Sequence, residues 1–307
     1  MSFASEVKEE LNKLSNLANK DAVKYEFLGY LMTNHITVEK NKMKFSTENE
    51  YNINRFSKLL NNLQQIKYEI QIVGKTFSIT TQIPELEEVQ IYSNEEETHK
   101  QIMINLSGVK NKIEKQEVLQ KALVRGCFLG SGSISNPKQS YHLEMLFSQR
   151  IYADFILELL QTYQISFKTV VKNQSDGIYA KDGEEISKFL AFIGANHAVL
   201  QFEEVRIYRE IRGNVNRKVN CETANLNKTV ESALKQIQAI ELLKEKGKLE
   251  ELSEGLQEIA QLRISHPEAS LIELGNMLKT PIGKSGVNHR LKAIEKIAEE
   301  LLAKDKN

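Results

Sequence analysis

The chain has 307 residues, 41% hydrophobic and 27% charged, which are the proportions of a soluble globular protein too long for one compact core. Its 41 basic and 41 acidic side chains cancel, so any surface for nucleic acid must come from local clustering of positive charge. Cys127 and Cys221 form neither a metal-ligand spacing nor a disulfide framework, and no apolar run reaches the roughly eighteen residues of a membrane span, so a reducing cytoplasm is the expected location.

The opening SFASEVKEELNKLSNL sets Phe3, Val7, Leu11, Leu14 and Leu17 at helical spacing, with Ser2 available as N-cap. It lacks the basic start and apolar core of a signal peptide. A second helix is predicted over about 21–33, DAVKYEFLGYLMT, then a strand at 43–46 and a helix through Phe56, Leu59, Leu60 and Leu63. The hairpin KYEIQIVGKTFSITTQ turns at Gly74-Lys75, with apolar residues alternating on both sides. Residues 84–100 set Glu85, Glu87, Glu88, Glu95, Glu96 and Glu97 against a single cation, Lys100, and are expected to be exposed.

From about 115 the order restarts. A helix, EKQEVLQKALVRGCFLG, ends in a glycine-serine stretch and is followed by a strand, YHLEMLFS, and a helix, IYADFILELLQTY. A hairpin, ISFKTVVKNQSDGIYAKD, carries Asp176-Gly177 as its turn signal, and the helix EEISKFLAFIG closes the set. The same order has then occurred twice, with Gly29 and Gly126 at matching places. An internal duplication of an α/β unit, related by a pseudo-twofold axis, is the economical reading.

Next comes RIYREIRGNVNRK at 206–218, where Arg206, Arg209, Arg212, Arg217 and Lys218 face one acid, Glu210. It is the clearest positive concentration in a neutral chain. Arg212, Arg217 and Lys218 suit phosphates, while Asn214 and Asn216 supply neutral donors and acceptors for base edges. A solvated turn linking two domains, its asparagines capping helices, accounts for the same composition.

Beyond about 225 the pattern is helical throughout. TVESALKQIQAIELLKEKG ends at Gly247, and LEELSEGLQEIAQLRISHP ends at His266-Pro267. A helix at about 270–278 turns Leu271, Leu274 and Leu278 inward, with Gly275 where two helices would approach closely. Pro281 forbids its continuation through KTPIGK. Ser285 can cap a following helix whose Val287, Leu291 and Ile294 face inward, leaving Lys284, Asn288, His289, Arg290 and Lys292 on or near the outer face. This is the design of a helix-turn-helix, whose second helix enters the major groove; arginine suits guanine, asparagine adenine and lysine phosphate. A generic helical hairpin with solvated charges fits the bare pattern as well. A nucleotide loop does not, because no glycine stands five residues before Gly283 and no strand precedes it.

The two small-residue helix ends resemble the LAGLIDADG motif of homing endonucleases, in which paired helices each deliver an acid to a metal site on DNA. In LVRGCFLGSGSIS, Gly126 matches the helix-packing glycine, Gly132 the final glycine, and Ser131 stands where the metal-binding acid should be. In FLGYLMTNHIT, Gly29 matches Gly126, Asn34 takes the acid's position and His35 replaces the final glycine. Three blocks in order, SFASEVKEEL, RGNVNRKVNCETANLNKT and LIELGNMLKTPIGKSGVNHRL, resemble the WhiA family over essentially the whole chain. That family often keeps an acid at the end of the first motif, and Asn34 departs from it.

The resemblance implies an α+β fold: a duplicated LAGLIDADG-like α/β domain with pseudo-twofold symmetry, then an all-α helix-turn-helix domain. The expected boundaries are 1–110 for the first repeat with its N-terminal helix, 111–222 for the second, and 223–307 for the helical domain. It implies a DNA-binding protein of the WhiA type, acting in cell division and chromosome segregation, in transcriptional regulation, or in both. Its partners would be double-stranded DNA and division or segregation proteins, and its location the nucleoid. Asn34 and Ser131 offer no anionic charge to anchor a hard divalent cation, so no catalytic residue, metal or cofactor is expected. A metal-dependent LAGLIDADG endonuclease and a scaffold for division proteins are the alternatives.

Overall fold

The computed structural model describes residues 2–39, 42–64, 66–93, 100–172 and 174–304. Two compact units divide it, Met1–Arg209 and Glu210–Asn307.

In the first unit, Ser2 accepts a hydrogen bond from the Ser5 amide and starts α1 (Phe3–Asn12), which buries Phe3, Val7 and Leu11. Asn19 caps α2 (Lys20–Leu31). Strands β1 (Ile36–Glu39) and β2 (Lys42–Thr47), helix α3 (Glu50–Gln64), and strands β3 (Tyr68–Val73) and β4 (Thr76–Gln82) follow, forming an antiparallel sheet in the order β1-β2-β4-β3. A separate hairpin pairs β5 (Val89–Ser93) with β6 (Lys100–Ile104). After α4 (Leu106–Ile113) the pattern repeats as α5 (Glu117–Ser131), β7 (Ser133–Ile134), β8 (Leu143–Phe147), α6 (Arg150–Thr162), β9 (Lys168–Lys172) and β10 (Ser175–Ala180). The second sheet runs β7-β8-β10-β9, the same order as the first. Its closing helix is α7 (Gly183–Ile193), stopped by Gly194 at φ +90°.

The matching helices α2 and α5 meet where neither can carry a side chain. A Cβ on Gly29 would lie 2.2 Å from the Leu123 carbonyl oxygen, and one on Gly126 would lie 1.9 Å from that of Glu26. Contact at this distance requires glycine on both helices, as the duplicated sequence implied. The repeats are also joined by a bond from the Ser148 amide to the Met32 carbonyl, 3.0 Å.

Several local expectations change. Asp176-Gly177 is not the turn but lies inside β10, where Gly177 pairs with Leu146 and Val170. A Cβ there would meet the Met145 carbonyl at 2.7 Å, so the glycine serves a close approach within the sheet. The acid-rich segment is not uniformly exposed: Glu88 is buried, receiving bonds from Lys24 (2.7 Å) and the Tyr25 hydroxyl (3.2 Å). Glu95, Glu96 and Glu97 lie outside the described residues. Finally, the basic strip and the segment TVESALKQIQAIELLKE belong to one helix, α8 (Asn196–Glu245).

In the second unit, α8 contributes Ile240 and Leu243 to a small core. Helices α9 (Glu254–Ser265), α10 (Leu271–Met277) and α11 (Lys284–Lys304) complete it with Ile259, Leu274, Leu278, Val287, Leu291 and Ile294. Ser270 and Glu273 close a capping box at the start of α10. Gly275 is approached both by the turn and by α11, since a Cβ on it would stand 2.3 Å from the Ile282 carbonyl oxygen and 3.1 Å from the Val287 side chain. Helix α11 begins at Lys284, so Ser285 sits within its first turn rather than capping it.

Candidate nucleic-acid interface

Asn34 and Ser131, the positions where the sequence resemblance would put the metal-binding acids, lie just after α2 and at the end of α5. Ser131 has its hydroxyl spent on the backbone, accepting from the Leu146 amide (3.0 Å) and donating to the Cys127 carbonyl (3.5 Å). The Asn34 amide group donates to the Ser175 hydroxyl (3.2 Å), and its buried carbonyl oxygen has no hydrogen-bond partner among the described residues. Gly132 closes α5 with its amide on the Phe128 carbonyl at 2.7 Å, and a Cβ on it would strike the Phe128 ring. The small residues thus serve close packing, while the two expected acid positions carry neutral groups.

Acids near the seam are committed elsewhere. Glu26, fully buried on α2, is held by Arg55 of α3 at 2.6 Å and by Arg125 of α5 at 2.9 Å. Burial alone would push its carboxyl up, but the two guanidinium groups outweigh that and hold it below the usual carboxylate value. Arg55 also donates to the Leu14 carbonyl and Arg125 to the Ile193 carbonyl. Glu144, on β8, is bound by Lys172 and by His142. Among the described residues, no three His, Cys, Asp or Glu side chains are placed to hold a metal. Sequence reading missed the Arg55 and Arg125 partners of Glu26, because ion pairs between elements far apart in the chain leave no local periodic signal.

The basic strip is helical, but its members do not share a face. At about 100° per residue, Arg212, Asn214, Asn216, Arg217 and Lys218 are distributed around the circumference of α8; all five are exposed. Arg217 donates to Asn214 at 2.5 Å. Two other arginines of the strip are already engaged: Arg206 pairs with Glu203 at 2.9 Å, while Arg209 donates to the Pro137 carbonyl and lies 4.6 Å over the Tyr141 ring.

Helices α10 and α11 present a more coherent surface. Val287, Leu291 and Ile294 are buried, which fixes the rotation of α11. Lys284, Ser285, His289 and Lys292 are then exposed and Asn288 is half-buried beside them. Arg290 is turned back toward the core: it is half-buried, and one of its five N–H donors goes to the Gly255 carbonyl of α9 at 3.3 Å. Gly255 leaves the room, because a Cβ there would stand 3.3 Å from the guanidinium. Lysine, serine, histidine and asparagine on one helical face, next to a sharp turn, provide donors for phosphate and donor–acceptor groups for base edges.

Residues 120–212 match the family model described as the WhiA LAGLIDADG-like domain, and residues 215–298 match the WhiA C-terminal HTH domain. The chain is 38% identical to the probable cell division protein WhiA of Clostridium tetani and 39% identical to that of Clostridium novyi, each alignment covering 98% of both chains. Its structure is similar to the crystal structure of full-length WhiA from Thermatoga maritima, with a TM-score of 0.60 and 28% identity over 98% of this chain and 99% of that one.

Proposed function

From the membership of this chain in the WhiA family, we propose that it is a non-catalytic DNA-binding protein whose helix α11 enters the major groove. The observation that supports this most directly is the burial of Val287, Leu291 and Ile294, which leaves Lys284, Ser285, Asn288, His289 and Lys292 facing away from the core. In this reading Lys284, Ser285 and Lys292 hold phosphates, and Asn288 and His289 read base edges. Arg290 braces α11 through Gly255 and offers its remaining donors to the duplex. Arg212, Asn214, Asn216, Arg217 and Lys218 add contacts along α8; because they do not share a face, no single groove contact uses them all. The protein would act at the nucleoid, in cell division, chromosome segregation or transcriptional regulation, with division or segregation proteins as further partners. The neutral groups at Asn34 and Ser131 favour retention of the repeat as a frame without nuclease chemistry.

Fluorescence anisotropy with labelled duplex at several salt concentrations tests the reading. Each phosphate contact contributes about 0.9 to the slope of log K against log salt, so replacing both Lys284 and Lys292 by alanine should lower the slope by about 1.8 and weaken binding. Affinity and slope unchanged in that double variant would defeat the assignment of α11. Incubation of the wild-type chain with supercoiled plasmid and Mg²⁺ or Mn²⁺ should leave the plasmid intact, and nicking that EDTA stops would establish the endonuclease alternative.

A further inference from the structure

The second unit contains a cavity of about 260 Å³, lined by α8, Arg263 of α9, the start of α10 and Lys284 at the start of α11. Two of its lining side chains, Gln236 and Arg263, are each only 3% exposed. Both carry a buried polar atom with no hydrogen-bond partner among the described residues: the Gln236 side-chain carbonyl oxygen and the Arg263 Nε–H. Such atoms are costly to bury alone and mark places where a partner belongs.

The charge around them has one sign. Arg263 gives its Nη1 to the Ala269 and Pro267 carbonyls, 2.8 and 3.3 Å away, and no carboxylate is among the residues lining the cavity. Burial uncompensated by an acid pushes its pKa below the usual arginine value. The exposed lysines Lys228 of α8 and Lys284 of α11 line the same cavity. Three cationic side chains around one cavity, in a chain of zero net charge, make that cavity electropositive.

The two unpartnered atoms narrow the anion further. One is a donor and the other an acceptor, so a ligand satisfying both must accept from Arg263 and donate to Gln236. Sulfate and the phosphodiester of a duplex backbone have acceptor oxygens only. A phosphate or phosphate monoester near its second pKa, about 6 for a monoester, has both an ionised oxygen and a P–OH. We propose that this cavity binds the protonated phosphate group of a small molecule, inorganic phosphate or a phosphate monoester, with Arg263, Lys228 and Lys284 neutralising it and Gln236 accepting from its hydroxyl.

Isothermal titration of the full chain at pH 6 without DNA provides the test, so that its outcome is separate from that of the DNA-binding reading. The probes are inorganic phosphate, glycerol 3-phosphate, dimethyl phosphate and sulfate. Phosphate and glycerol 3-phosphate should bind, with the other two weaker by about tenfold, the scale of one buried hydrogen bond. Lys228→Ala, a change at an exposed position, should weaken phosphate several-fold. Gln236→Met should remove the preference for phosphate over sulfate. Equal binding of all four anions, or insensitivity to Lys228→Ala, would mean adventitious ion binding and end the proposal. Dimethyl phosphate binding as tightly as glycerol 3-phosphate would assign the cavity to a DNA backbone diester instead, and equally overturn it.

Discussion

Glu26 supports the seam between the repeats through charge as well as packing. Its carboxylate is fully buried between Arg55 and Arg125, and its own backbone carbonyl is the atom that forbids a Cβ on Gly126. Two buried guanidinium groups around one carboxylate are tolerable only because the Leu14 and Ile193 carbonyls and the Asn16 side chain take further donors. Removing the carboxylate would leave both cations uncompensated, so Glu26→Gln should cost about 3–5 kcal/mol in denaturant unfolding. The pH dependence follows from the depressed pKa. Glu26 stabilises the fold above the unfolded carboxyl value of about 4.3, and that contribution disappears as pH falls through the lower folded value. Melting temperatures measured from pH 6 to pH 2 should therefore fall more steeply for the wild type than for Glu26→Gln. Parallel curves would show that the carboxylate is not the acid-sensitive group.

At the scale of elements, α8 is the least self-sufficient part of the structure. Residues 214–232 are exposed all round, and they include Asn214, Asn216, Asn220, Asn225 and Asn227, each up to about 0.7 kcal/mol worse than alanine in a helix. Burial resumes only at Ala233, Gln236, Ile240 and Leu243. Amide hydrogen exchange should be roughly tenfold or more faster across 214–228 than across 236–243, and uniform protection along the helix would contradict this account. The same contrast explains what sequence could and could not reveal. Segments with one buried face, such as α1 and α11, announce themselves by apolar spacing. So do the Gly74-Lys75 hairpin and the duplicated glycine-bearing helices. The strip at 206–218 buries nothing on a fixed face, so its composition could not separate a helix from a turn. Asp176-Gly177 misled because a glycine needed for close approach inside a sheet looks the same in sequence as one needed for a turn. At the candidate interface, the outward set on α11 followed from its three buried apolar residues. The engagement of Arg290 with Gly255, and of Arg263 with the loop after α9, depends on contacts between helices that no local pattern encodes.

For the molecule as a whole, zero net charge makes the location of positive charge decisive, and the two units differ in this respect. On the first sheet, burial of Met43 and Phe45 turns Lys42 and Lys44 outward, but Glu39 stands directly opposite Lys42 in the register and Glu69 lies two strands from Lys44 on the same row. On the second sheet, Glu144 binds Lys172. Lys42 and Lys44 thus have an acid close by in the register and Lys172 one in direct contact, so a phosphate drawn to these lysines would meet a neighbouring carboxylate. The exposed Lys284 and Lys292 on α11 form no ion pair among the described residues, and counterion release on DNA binding should come mainly from the second unit. A Lys42→Ala/Lys44→Ala double variant should consequently leave the salt slope of duplex binding within about 0.3 of the wild type. If that pair reduced the slope by the amount expected for Lys284 and Lys292, the sheets themselves would lie along the duplex. The retained repeat would then be a second DNA surface rather than a frame.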